Sequence, residues 1–227
     1  MTIHVLVEGQ SEFALLERWS PRLLRGHPVR IHPHQGKGIL PNNLDAAPQA
    51  VRRGLLDQLP AKLRGFANSL DPAVDGVVVL VDADDQDPTE LSMNISKAAQ
   101  RASPNLRVAV HLAVEETEAF YLGDLKALRK AFPYADMASA RAYAPDSICG
   151  TWELFGKIVK DGGGNKVAWA EAMGPVLTTR PGQSRSPSFQ ALVKGMLKLL
   201  PSAGTKKKPR RPYRHIAKTR TDPSGWR

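Results

Sequence analysis

At 227 residues, 42% of them hydrophobic and 24% charged, the sequence has the make-up of a soluble globular protein with one good-sized core and room for a small appendage. No apolar run approaches the roughly 18 residues of a membrane span, MTIHVLVEG lacks the basic start of a secretion signal, and one cysteine, Cys149, excludes an internal disulfide and a cysteine zinc site, so a cytoplasmic location is expected. The formal charge of +10 belongs to the C-terminal segment: 13 Lys or Arg and one acid follow from Arg180 onward, while the first 179 residues hold 19 basic and 21 acidic residues, a distribution that suggests contact with a polyanion.

In chain order, IHVLV (3–7) is an apolar run of strand length and SEFALLERW (11–19) reads as a helix. PVRIHPH (28–34) is a second strand, weakened by its prolines. The periodicity of residues 44–70 predicts a helix interrupted near Pro48 and Pro60. VDGVVVLVD (74–82) is the strongest strand, apolar on both faces as a central parallel strand must be. A helix over 88–102, a strand over 106–114 and a helix over 115–131 follow. Strand and helix in alternation predict an α/β fold: a mainly parallel Rossmann-like sheet with helices on both faces. From residue 132 the pattern turns helical and irregular, with helices expected at 151–160, 166–173 and 188–200. This divides the chain into an α/β domain (1–131), a helical region packed on it (132–200) and a basic flexible tail (201–227). Cys149 reads as an ordinary small core residue.

Open α/β sheets bind ligands beyond the carboxyl ends of their strands, and three of these strands end in acids. The first delivers Glu8, with Glu12 a helical turn later; the third delivers Asp82, Asp84, Asp85 and Asp87; the fourth delivers Glu115, Glu116 and Glu118. Each group alone has a plain explanation in turn formation or helix capping. Together they would repel one another unless a cation is shared, and oxygen-only ligands suit Mg2+ or Mn2+.

A strand ending in VEGQSE (7–12) and a later strand ending in DAD (82–84) resemble the Toprim domain, shared by topoisomerases, primases and OLD-like nucleases. VEETEAFYLGD (114–124) resembles a segment of small uncharacterised bacterial Toprim-type proteins, and RSPSF (185–189) extends the likeness weakly beyond residue 125. The resemblance implies that Glu8 stands for the invariant glutamate, Asp82 and Asp84 for the acidic pair, and Glu12 for a second glutamate of the nuclease branch. It also implies a Toprim fold, Mg2+-dependent phosphodiester chemistry on nucleic acid, and a role in defence against foreign DNA beside a separate ATPase. No ATPase motif occurs in this sequence, so such a partner would act in trans, and the chain is too short for a topoisomerase or primase assembly.

On this basis Glu8, Asp82 and Asp84 are the expected principal metal ligands. Glu12 and Glu116 are expected at a second metal or at the attacking water. Glu115 and Glu118 fit less well, because neighbouring helix positions point in different directions. Asp85 and Asp87 are assigned to loop stiffening or to capping the next helix. A phosphate-directed cation is sought at Lys37, Lys166 and Arg185, with Lys166 placed among the catalytic candidates; Lys37 and Lys166 also have the plainer reading of solvated loop lysines. Ser188 reads as a helix cap. Lys206, Lys207, Lys208, Arg210, Arg211 and Arg214 of the tail are candidates for nucleic-acid contact. DGGGNK (161–166) lacks Walker A spacing, GKG (36–38) lacks a third dinucleotide-type glycine, and the pair His32 and His34 has no third metal ligand. Two further readings remain open: a non-catalytic module that binds nucleic acid or a partner, and an enzyme acting on a nucleotide or another small phosphate ester.

Overall fold

The computed structural model describes residues 1–147, 150–161 and 164–201. Four strands, β1 (Thr2–Val7), β2 (Val29–Pro33), β3 (Asp75–Asp82) and β4 (Val108–Ala113), form one sheet in the order β2-β1-β3-β4. Every neighbouring pair is parallel. The helices are α1 (Gln10–Leu23), α2 (Leu55–Ser69), α3 (Pro88–Ala102), α4 (Glu118–Gly123), α5 (Leu125–Ala131), α6 (Met137–Ala142), α7 (Thr151–Val159), α8 (Lys166–Met173) and α9 (Pro187–Leu199). The expected mainly parallel α/β architecture, with helices on both faces and a helical C-terminal part, is what the chain forms.

The period-2 alternation of strand side chains divides the interior into two cores. Ile3, Val5, Val7, Val78 and Leu80 face one side, packed with Leu16 and Trp19 of α1, Trp169 of α8 and Phe189 of α9. Leu6, Val77, Val79 and Val81 face the other, packed with Leu55, Leu59 and Leu63 of α2 and Ile95 of α3. Val77 to Val81 are all inaccessible to solvent. Burial contributes about 1.5–3 kcal/mol for each such side chain, which makes β3 the anchor of the sheet.

Three stretches depart from expectation. The helix foreseen over 44–70 begins only at Leu55, so Pro48 interrupts nothing, and Pro60 lies inside α2 with its ring in the core. The start is fixed by Asp57, whose carboxylate accepts the Gly54 N–H at 3.2 Å and the Ile39 N–H at 3.3 Å. The single helix foreseen over 115–131 is two. Ala83 and Asp84 donate backbone N–H groups to the carbonyls of Ala113 and Glu115, which ties the segment after β4 to the end of β3, and α4 starts only at Glu118. Asp124 then breaks the helix, its carboxylate accepting Ala127 N–H at 3.0 Å and Thr178 N–H at 2.9 Å. The cap of α9 is Ser186, whose hydroxyl accepts the Phe189 N–H at 3.1 Å. Ser188, the expected cap, instead donates its hydroxyl to Asp146 at 3.0 Å. Among the described residues no helix is long and apolar enough to cross a membrane. Cys149 lies outside the described residues, as does the tail beyond residue 201.

Candidate functional site

A sheet ordered β2-β1-β3-β4 reverses its winding between β1 and β3, and the crevice beyond their carboxyl ends is where such folds hold ligands. Glu8 leaves β1 and Asp82 ends β3 at that point. They are joined directly: the Asp82 backbone N–H donates to Glu8 Oε1 at 2.7 Å. From the β4 side, the Thr117 hydroxyl donates to Asp82 Oδ1 at 3.1 Å and reaches Glu12 Oε1 at 3.5 Å. The Ser11 hydroxyl donates to Glu12 Oε1 at 2.8 Å. Three strand ends and the first turn of α1 therefore meet in one polar cluster.

Burial gives the cluster its electrostatic character. It pushes the Glu8 carboxyl up to about 7, with Glu12 and Asp84 adding repulsion and the Asp82 N–H opposing it. Asp82 is raised well above the usual carboxylate range, first by burial and then by Glu12, Glu8 and Glu118. Glu118 is pushed to about 7, chiefly by burial, although Lys166 opposes the shift. The Tyr121 hydroxyl, wholly buried, has no hydrogen-bond partner among the described residues, and its charged surroundings are Glu118, Glu12 and Asp82.

Two lysines approach from opposite sides. Lys37 Nζ pairs with Asp84 Oδ2 at 2.5 Å and donates to the Asp82 carbonyl at 3.0 Å. It is delivered by the GKG stretch: Gly36 and Gly38 adopt left-handed φ of 88° and 68°, where a Cβ is disfavoured. The Gly36 N–H donates to the Glu8 carbonyl at 2.9 Å, while Leu55 and Leu56 donate to the carbonyls of Gly36 and Lys37. Asp84 itself has a φ of 50°, a conformation aspartate tolerates better than most residues. Lys166 Nζ pairs with Glu116 Oε1 at 3.3 Å, and the other Glu116 oxygen accepts the Trp152 N–H at 2.8 Å. Burial works against the Lys166 charge, but Glu118 and Glu116 outweigh it and raise its pKa. Neither lysine is a freely solvated loop residue.

Of the sequence candidates, Glu8, Glu12, Asp82, Asp84, Glu116, Lys37 and Lys166 are thus brought together. Glu118, set aside on helix geometry, belongs with them: α4 starts only at Glu118, so Glu116 is not on the helix, and Glu118 acts electrostatically on Asp82 and Lys166. Glu115 accepts hydrogen bonds from Tyr143 and Thr151, among other interactions, and so faces α7. Arg185 is engaged elsewhere: its guanidinium donates to the carbonyls of Leu122, Ala140 and Arg141. These bonds hold it against α4 and α6. Asp87 caps α3 by accepting the Glu90 N–H at 2.8 Å. His34 donates from Nδ1 to the Val7 carbonyl at 2.9 Å, and His32 stacks on His4. Lys206, Lys207, Lys208, Arg210, Arg211 and Arg214 lie outside the described residues. Thr117 and Trp152 were missed; the only signal for Thr117 is a small hydroxyl flanked by acids.

The donor chemistry fits a hard divalent cation. The donors are oxygens, six carboxyls face two lysines, and the orphaned Tyr121 hydroxyl is a polar group still wanting a partner. Among the described residues, however, no three His, Cys, Asp or Glu side chains are placed to hold one metal ion. The Lys37–Asp84 and Lys166–Glu116 pairs engage carboxylates that would otherwise be free for ligation.

The model of the family described as Domain of unknown function (DUF4276) matches residues 7–197. The chain belongs to this family. The DUF4276 match takes in every acidic candidate and both lysines, and stops short of the basic tail. Among curated proteins none matches the chain. A solved structure, the C-terminal region of the Burkholderia pseudomallei OLD protein, is similar at 13% identity, over 87% of this chain and 95% of that one, with a TM-score of 0.48.

Proposed function

We propose that this DUF4276 protein is a metal-dependent phosphodiesterase acting on nucleic acid. The observation that carries the reading is the direct coupling of Glu8 to Asp82 at the β1/β3 crevice, between Lys37 and Lys166. Glu8 and Asp82 would hold the ion, with Glu12, Asp84 and Glu116 completing one or two coordination shells. Bound Mg2+ or Mn2+ would supply an activated water and offset charge on the phosphate oxygens. The chain's own residues do the rest. The Asp82 N–H and Thr117 hydroxyl orient the two central carboxyls. Lys37 and Lys166 would turn from their carboxylate partners to phosphate oxygens, keeping positive charge beside the reacting phosphate. The basic tail would add phosphate contacts that position the substrate without reading its sequence. The Toprim resemblance of VEGQSE and DAD extends this to a defence component working with an ATPase in trans.

The test is cleavage of plasmid and single-stranded DNA and RNA with Mg2+ or Mn2+, comparing wild type with Glu8→Gln and Asp82→Asn. Metal-dependent cutting lost in both variants is expected; variants that cut at wild-type rates would sink the assignment. A second reading, a non-catalytic binding module, draws on one observation. The two ion pairs neutralise Asp84 and Glu116 without any metal. It predicts nucleic-acid binding with no metal-dependent turnover.

A further inference from the structure

Beside the acidic cluster, between α7 and α8, lies a cavity of about 530 Å3. Its walls are the indoles of Trp152 and Trp169, with Gly156, Gly164, Lys157 and Lys160 around them. Glu153 is the one acid among these lining residues. Two glycines let the backbone pass close to the ring edges: a Cβ at Gly156 would sit 3.3 Å from Trp169, and one at Gly164 would sit 3.1 Å from Trp152. Gly164 also holds a left-handed φ of 65°. Trp169 is almost wholly buried and its indole N–H is fixed on Asp161, so it forms a rigid floor. Trp152 is 36% exposed, unusual for so large an apolar side chain.

Trp152 links this cavity to the proposed reaction site. The Trp152 backbone N–H holds Glu116, and the ammonium of Lys166, which pairs with that same glutamate, lies 5.2 Å from the Trp152 ring centroid. An aromatic slot rimmed by lysines, one residue away from a phosphate-directed cation, has the chemistry of a nucleobase site. Bases stack on indoles irrespective of sequence, and lysines hold the adjoining phosphates. An apolar peptide or a neutral lipid would leave the lysine rim unpaired.

We propose that the Trp152–Trp169 cavity receives one unstacked base of the nucleic acid next to the phosphate being cut, which makes the substrate single-stranded or locally unpaired. This rests on the phosphodiesterase reading. In a duplex the base is stacked between its neighbours and must first be extruded to enter such a pocket, at an unstacking cost of a few kcal/mol.

The experiment uses the full chain in EDTA, with fluorescence anisotropy of three labelled probes. These are a ten-nucleotide thymidine oligomer, the same sugar-phosphate oligomer lacking bases, and a ten-base-pair duplex. Phosphate contacts, including any from the basic tail, act equally on the first two, so their difference isolates the base. The thymidine oligomer should bind about tenfold tighter than the base-less one. Trp152→Ala should abolish that preference and Trp152→Phe should keep most of it. Equal affinity of wild type for the two oligomers, a preference surviving in Trp152→Ala, or tighter binding of the duplex would each overturn the proposal. Cleavage of the thymidine oligomer with Mg2+ is followed alongside. Base preference without cleavage refutes the phosphodiesterase and leaves the base site standing. Glu8-dependent cleavage without base preference refutes the base site alone.

Discussion

Removing the charge of Glu8 should stabilise the protein, and the gain should depend on pH. Burial raises Glu8 from its ordinary 4.5 to about 7. The folded state therefore binds more protons than the unfolded state between those values. Its relative stability is intact below pH 4.5 and is lost as pH rises through about 7. At about 1.4 kcal/mol per unit, the ionised Glu8 costs the fold up to about 3 kcal/mol at pH 8. Glu8→Gln keeps an amide oxygen to accept the Asp82 N–H and removes that cost. For a chain of this size about 2–4 °C accompany each kcal/mol, so Tm should rise by about 6–12 °C at pH 8 and hardly at all at pH 4.5. The assay is thermal unfolding followed by circular dichroism, in EDTA, across that pH range. Adding millimolar Mg2+ should then raise the wild-type Tm and leave the variant nearly unmoved. A Tm difference that does not grow with pH would refute the claim that Glu8 is held against its own charge.

Three further outcomes are expected. Lys166→Met should lower cleavage about a hundredfold while moving Tm by less than about 3 °C, because one preorganised cation is worth more at a reaction site than in a half-exposed pair; equal loss of stability and activity would make Lys166 merely structural. A Cβ at Gly195 of α9 would overlap the His111 ring on β4. Gly195→Ala should therefore cost about 1–3 kcal/mol by overpacking, more than the helix propensity it gains, and His111→Ala in the same chain should recover most of it in denaturant unfolding. His32 is held near 4, first by burial and then by Lys62 and His4. Its contribution to stability should be full above 6.5, its ordinary value, and should fall as pH drops towards 4; a histidine NMR titration with a midpoint near 6.5 would contradict this.

The fold class and the first members of the site were legible in the sequence, for a local reason. An uninterrupted VVVLV can only be buried on both faces, and acids immediately after apolar strands must emerge at one edge of a parallel sheet. That placed Glu8, Asp82 and Asp84 at the edge together with their acidic neighbours, and the Toprim resemblance singled out these three. The extents of the elements around α2 and α4 did not, since they are set by partners distant in sequence: Asp57 on Ile39, and Asp124 on Thr178. The same holds for the cations. Lys37 resembles any loop lysine until two left-handed glycines and the start of α2 turn it onto Asp84, and Lys166 resembles one until α8 packs it over Trp152 beside Glu116. Arg185 looked available because its charge is visible in the sequence, whereas the three carbonyls that engage it belong to other elements. Hydrophobic period and strand-end chemistry are written locally and determined the sheet and the acids. Which charges meet, and which indoles border them, depends on contacts between residues tens of positions apart, and only the tertiary structure decided those.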